Sequence, residues 1–274
     1  MKRIFTLILN KTAYVLPKWN GKQAFKLLCK VKRIEISSQG NDFLNKAVQS
    51  KWSYHNYEAT IYKYGSGSKK LIFLHGWLSN SERWREMIES LDLRDYSCYL
   101  IDAPGHGRSK GNSLNLEIYR LILIDLVKSQ GDIHSIIGHS LGSLVTAYAL
   151  MRDATLPVDS IILMGAPAGM NSIYDFFKRI MNLNNKTIEN MDAFINKEIT
   201  EIPAHEINIK NFLKVVQQPV LVIHDYDDKI CPIVPIETAV ALNKQVESFF
   251  TSHLGHDLLD REVIKRTLHF LDSV

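Results

Sequence analysis

Five short aliphatic runs, at residues 71–74, 98–101, 133–137, 161–164 and 220–223, recur along this 274-residue chain, and none is long enough to read naturally as a helix. Runs of this length, rich in Val, Ile and Leu, are the pattern of strands buried on both faces of a parallel sheet. Helix candidates at 81–91, 115–129 and 141–151 lie between them. The resulting β-α-β-α order predicts a mostly parallel central sheet with helices on both faces. Residues 52–64, with Tyr54, Tyr57, Ile61 and Tyr64 set among polar residues, predict an early strand or hairpin. Residues 65–70 then read as a turn, and 248–250 as a last short strand.

Two intervals break the alternation. From 168 to 211, Ile173, Phe176, Phe177, Ile180 and Met181 share one helical face, and Ile188, Met191, Phe194 and Ile195 suggest a second short helix. These stripes fit either core packing or a small helical lid whose apolar face lines an acyl pocket. Residues 3–50 read as two helical pieces, with breaks near Pro17 and Gly21 and again at Gly40. The expected organisation is a basic helical N-terminal extension at 1–50, a core formed by 51–167 and 212–274, and a lid at 168–211.

Charge and cysteine content narrow the surroundings. Residues 1–33 hold nine Lys and Arg and no Asp or Glu, so the net charge of +4 leaves the rest of the chain at −5. That segment also carries Phe5, Leu7, Ile8, Leu9, Tyr14 and Trp19, a mixture suited to a basic helix on its own domain or to peripheral contact with an anionic membrane. No nucleic-acid-binding module accompanies the charge, so nucleic acid is not an expected partner. Cys29, Cys98 and Cys231 are odd in number and lack metal-ligand spacing, which points away from a disulfide framework or a zinc site and towards a cytoplasmic protein. No apolar run approaches the 18 or so residues needed to span a bilayer. The short run after Lys2 and Arg3 lacks a small-residue cleavage pattern, so no signal peptide is expected.

The chemistry concentrates at Gly138-His139-Ser140-Leu141-Gly142, which follows the run 133–137 and opens a helical stretch. In that strand-turn-helix context, G-x-S-x-G reads as a nucleophile elbow. Its glycines are explained sterically, because the turn brings strand and helix too close for side chains. A serine hydroxyl needs a general base, and the base needs a third group to orient it. Downstream lie His224-Asp225-Tyr226-Asp227-Asp228-Lys229-Ile230-Cys231-Pro232 and Gly255-His256-Asp257, in the order Ser, Asp, His.

Taken together, residues 70–272 resemble the α/β-hydrolase fold family. The segment Leu71 to Trp77, reading L-I-F-L-H-G-W, looks like the family's strand and oxyanion loop. Asp102 to Ser109, reading D-A-P-G-H-G-R-S, resembles its D-x-P-G-H-G-x-S turn. The resemblance implies an α/β-hydrolase fold with a helical lid and a Ser140–His256–Asp228 triad, Asp228 following from placing Pro232 on the family's proline. Asp225 stands where relatives carry glycine, leaving Asp227 and Asp225 as alternative acids and His253 as the competing base. It also implies an oxyanion hole from the backbone N–H groups of Trp77 and Leu141, and structural roles for His75 and His106. Asp102 reads as a turn-stabilising carboxylate and His139 as a wall residue. The expected activity is hydrolysis of a small-molecule carboxylic ester or related acyl compound through an acyl-enzyme, with no metal or organic cofactor. Carbon–carbon bond hydrolases, peroxidase-type relatives and non-catalytic ligand-binding proteins on the same scaffold are the alternatives.

Overall fold

The computed structural model describes residues 2–274; Met1 and the side chains of Lys2 and Arg3, part of the basic segment, lie outside the described residues. Eight strands form one sheet in the order β1-β2-β4-β3-β5-β6-β7-β8. Strands β1 (Val48–Tyr54) and β2 (Tyr57–Tyr64) make an antiparallel hairpin, and β2 joins β4 (Tyr96–Asp102) antiparallel. From β4 onward, β3 (Lys69–Leu74), β5 (Ile133–His139), β6 (Val158–Met164), β7 (Val220–Asp225) and β8 (Val246–Thr251) run parallel. All five aliphatic runs fall inside these parallel strands, and β4 and β5 are buried along their whole length. Register aligns Leu74 with Gly138, Gly138 with Leu163 and Leu163 with Val222, so the carboxyl ends of the central strands make one edge. Open α/β sheets place their ligands there.

Helices α4 (Arg85–Glu89), α5 (Leu116–Gln130), α6 (Leu141–Arg152), α10 (Val234–Ala241) and α11 (Arg261–Ser273) accompany the strands. Asn115 caps α5 by accepting the Ile118 N–H at 2.8 Å, and Asp260 caps α11 through Glu262 N–H at 2.7 Å, each satisfying an otherwise unpaired amide. Two apolar cores result, one on each face of the sheet. No helix among the described residues is long and apolar enough to cross a membrane.

In the N-terminal segment the expected break near Pro17 falls between the first two helices, but the breaks expected at Gly21 and Gly40 do not occur. Three helices occupy it, α1 (Lys2–Thr12), α2 (Pro17–Leu28) and α3 (Ser38–Asn45), and both Gly21 and Gly40 lie inside a helix. The reason is packing. A Cβ on Gly21 would stand 2.1 Å from the Asn190 carbonyl of α8 (Asn185–Glu198), and one on Gly40 would meet the Glu82 side chain at 2.3–2.7 Å. These glycines serve close approach between elements and do not end helices.

Residues 170–215 form α7 (Met170–Met181), α8 and α9 (Ile209–Val215), and α9 runs past the expected boundary at 211. Helices α1 and α2 pack directly on α7 and α8. Asn190 donates to Ala13 O at 2.9 Å and to Asn20 Oδ1 at 3.0 Å, and Asn20 donates to Leu9 O at 2.7 Å. The Phe25 and Phe194 rings meet at 5.3 Å. A four-helix cover thus joins residues 170 or more apart in sequence.

Candidate active site

The turn between β5 and α6 carries Ser140 at φ 52°, ψ −118°, a conformation that costs a non-glycine residue about 1–3 kcal/mol. The surroundings enforce it. Ser140 N–H donates to Met164 O at 2.8 Å, and the Ser143 hydroxyl donates to Gly138 O at 2.7 Å. A Cβ at Gly138 would lie 2.6 Å from Ser143 N, and one at Gly142 would lie 2.4 Å from Leu74 O. The steric reading of both glycines therefore holds.

Two neighbouring loops close over the serine. Gly76 passes so near that a Cβ there would stand 2.7 Å from Ser140 Cβ and 3.3 Å from its hydroxyl, which brings the 76–77 backbone against the nucleophile candidate. Leu141 is the first residue of α6, so its N–H has no partner within the helix. His75 donates from Nδ1 to Gly76 O at 2.7 Å and accepts the Ala103 N–H at Nε2, 3.1 Å. His106 does the same between Pro104 O and Leu78 N–H, at 3.1 and 3.3 Å. Carbonyls only accept and amides only donate, so each ring is the neutral Nδ1–H tautomer. Burial pushes His75 below its ordinary value, and burial with the neighbouring His75 lowers His106 to about 3. Asp102, fully buried, accepts from Tyr62 hydroxyl, Ser81 N–H and Arg108 N–H at 2.7–2.8 Å, holding the 102–109 turn.

The turn after β7 and the loop after β8 bring Asp228 to His256, whose Nδ1 lies 2.7 Å from Asp228 Oδ2. Asp228 Oδ1 accepts the Ile230 and Cys231 N–H groups, both at 2.8 Å. Burial raises the Asp228 carboxyl, but bonds from His256 and these amides outweigh it and hold the group below the usual carboxylate value. The two alternatives are engaged elsewhere. Asp227 Oδ2 faces His253 Nδ1 at 2.9 Å on the surface. Asp225 binds the Thr251 hydroxyl at 2.7 Å, Asp227 N–H at 2.8 Å and Leu254 N–H at 3.1 Å, tying the acid-bearing turn to the His256 loop.

Three further residues belong to this cluster. His139, read from sequence as a wall, is instead a strut. Its Nε2 donates to His256 O at 2.8 Å and its ring lies 4.9 Å from the His256 ring. His224 Nε2 donates to Cys231 O at 2.7 Å. The Cys231 thiol stands beside the Ser140 hydroxyl, and burial, with Asp228 nearby, pushes it up to about 12. The only hint of Cys231 in the sequence is its place three residues after Asp228 and before Pro232; for Asp225 it is the tendency of Asp to bond backbone two residues on. Asp228, Cys231 and His256 offer donor atoms within 4.8 Å of one another. With the Asp228 carboxylate already taken by three donors and the thiol kept protonated, the set is not arranged as a metal cage.

A cavity of about 730 Å³ opens at Ser140. Trp77, Leu141 and Cys231 share its floor, Met170, Ile173 and Phe177 of α7 form one wall, and Phe25 and Leu28 of α2 another. Its size and apolar lining suit a substrate with an extended hydrocarbon portion.

Residues 69–182 match the family model described as alpha/beta hydrolase fold, a stretch that includes Ser140 and ends before Asp228 and His256. The chain is 35% identical over 89 residues to a pimeloyl-[acyl-carrier protein] methyl ester esterase of Edwardsiella ictaluri, covering 32% of this chain and 33% of that protein. It is 36% identical over 85 residues to the protein of the same description from Salmonella newport, covering 31% and 32%. The chain thus matches about a third of the length of these relatives. Among solved structures, a bromoperoxidase from Bacillus anthracis superposes with a TM-score of 0.64 at 14% identity, over 83% of this chain and 100% of the other. An esterase from Rhodococcus superposes with a TM-score of 0.61 at 16% identity, over 83% and 98%. At such identities the likeness concerns the fold.

Proposed function

We propose that this chain, which has the α/β-hydrolase fold, is a serine hydrolase acting on a carboxylic ester or related acyl compound with an apolar acyl chain. The observation that carries this reading is the Asp228–His256 pair at 2.7 Å, with its carboxylate buried, beside a strained Ser140 that opens on a large apolar cavity. In this reading Asp228 accepts Nδ1–H of His256, which leaves Nε2 as the base. As Ser140 Oγ attacks the acyl carbon, its proton passes to His256 and the carbonyl electron pair moves onto oxygen. The N–H groups of Leu141 and Trp77 receive that oxyanion, an interaction worth about 10²–10³ in rate per donor. His256 then protonates the departing alkoxide. Water, deprotonated by the same histidine, attacks the acyl-enzyme and releases the acid.

The substrate for which these relatives are named, a methyl ester on an acyl carrier protein, fits this arrangement, with the acyl chain in the cavity and a small alcohol leaving. The division in this reading keeps a catalytic core, a lid and N-terminal helices, with the boundaries expected at 50 and 211 moved to about 47 and 208 because β1 (Val48–Tyr54) and α9 (Ile209–Val215) lie across them. The direct test is a fluorophosphonate probe combined with a panel of p-nitrophenyl esters of increasing acyl length. The expected result is label on Ser140, none on Ser140→Ala, and turnover that rises with chain length. Absence of label and of turnover on every ester would overturn the reading.

A further inference from the structure

Among the described residues, helix α1 packs on the domain through one side. Thr6, Leu9 and Ala13 are buried, and the Thr6 hydroxyl and Asn10 amide donate to the carbonyls of Met181 and Asn182 at 3.1 Å, where α7 ends. The outer side of a surface helix in a water-soluble domain is ordinarily polar. Here it presents Ile4, Leu7 and Ile8, followed by Tyr14 and Val15 on the connection and Trp19 on α2, with Leu7 59%, Tyr14 71% and Val15 72% exposed. Interleaved with them are exposed Lys11, Lys18, Lys22 and Lys26, and no acidic residue occurs before Glu35. None of these four lysines forms an ion pair among the described residues.

We infer that this face docks on an anionic lipid surface. The apolar and aromatic tips enter the headgroup–acyl boundary while the lysines meet lipid phosphates, the chemistry of an interfacial amphipathic helix. A purely ionic protein partner would not use the aliphatic tips, and a purely apolar one would leave the unopposed lysines unanswered.

The position of the patch gives it a consequence for the cavity, a step that rests on the hydrolase reading above. Phe176 and Ile180 of α7 line the cavity and are 37% and 45% exposed, and the next residue after Ile180 is the one whose carbonyl holds Thr6 of α1. The apolar surface therefore continues from α1 to the cavity wall. Docking presents that wall to the bilayer, and an acyl chain enters from lipid with little exposure to water.

The test is co-sedimentation of the full chain with vesicles of mixed phosphatidylglycerol and phosphatidylcholine, against phosphatidylcholine alone, at low and high salt. The expected preference for the anionic vesicles is about ten-fold or more, weakened by salt, as charge-assisted interfacial binding requires. Leu7→Asp with Val15→Asp abolishes it, and Lys11→Glu with Lys18→Glu removes the preference for anionic lipid; all four positions are exposed, so the fold is expected to persist. Equal sedimentation with both vesicle types, or unchanged binding by both double variants, overturns the inference. A lipid-independent dimer that the aspartate pair converts to monomer also overturns it, because a second copy then covers the face. Turnover of a soluble short-chain ester stays unchanged in both variants. Sedimentation needs no catalysis, so binding without turnover in the native chain sinks the hydrolase reading and leaves this one standing.

Discussion

Two Asp–His pairs sit side by side at the end of the sheet, made from adjacent aspartates and from histidines three residues apart. Asp228 meets His256 at 2.7 Å and Asp227 meets His253 at 2.9 Å. Distance does not separate them, but burial does. The side chains of His256 and Asp228 are 13% and 0% exposed, whereas those of His253 and Asp227 are 90% and 52% exposed. In the first pair the carboxylate is desolvated and paired with two amides as well as the imidazole, so it can orient and stabilise a charged histidine. The second is a solvated pair of the kind worth about 0–1 kcal/mol. A carboxylate beside an imidazole becomes a catalytic element through its dielectric and its neighbours.

The largest expected effect that would sharpen this contrast is His256→Ala, which should lower kcat on a soluble ester by about 10⁶-fold, the scale seen when a triad base is removed. A comparable loss in His253→Ala would break the comparison outright. Next, Asp228→Asn should cost about 10⁴-fold in kcat with KM little changed, because the imidazole loses its orienting acceptor. Asp225→Asn should cost about 10–100-fold in kcat, the range of a supporting hydrogen-bond partner, since this residue joins the turn of Asp228 to the loop of His256.

The same substitution has a signature in acid. Burial raises the Asp225 carboxyl, but the Thr251 hydroxyl and the surrounding amides outweigh it and hold the group below its ordinary value. Its contribution to stability is therefore present above the unfolded-state pKa of Asp and is lost as pH falls through the lower folded value. Thermal melts from neutral to acidic pH should show a shallower acid loss in Asp225→Asn than in the native chain. The smallest effect belongs to the exposed pair: Asp227→Asn and His253→Ala should each change turnover by less than about two-fold and stability by less than about 1 kcal/mol.

Local chemistry made the nucleophile candidate and its loops legible. An apolar run, G-x-S-x-G and a helix form a local signature within five positions of Ser140, although the turn is also held from neighbouring strands through Met164 O and Leu74 O. His75, Asp102 and His106 bond backbone at the ends of β3 and β4, in segments where the family resemblance already implied an oxyanion loop and a turn. The choice among Asp225, Asp227 and Asp228, and between His253 and His256, was not readable in the same way. Asp225 ends β7 and the other four lie on two loops, where adjacent aspartates and histidines three residues apart offer several pairings that composition does not distinguish.

The cover was the least legible region. The stripes of α7 and α8 are visible in the periodicity, but nothing local says that α2 supplies the facing wall through Phe25 and Leu28, or that Gly21 lets two helices touch. What the sequence by itself determined is what short-range physics controls: strand and helix type, the strained serine turn, the basic and apolar character of the first 33 residues. What only the tertiary structure decided is what depends on chain closure over long separations: which acid meets which base, which thiol stands beside the serine, and which face of α1 stays open to its surroundings. Side-chain patterning sets the preference of each segment for burial, but many arrangements satisfy that preference equally, and only close packing of the whole chain selects among them.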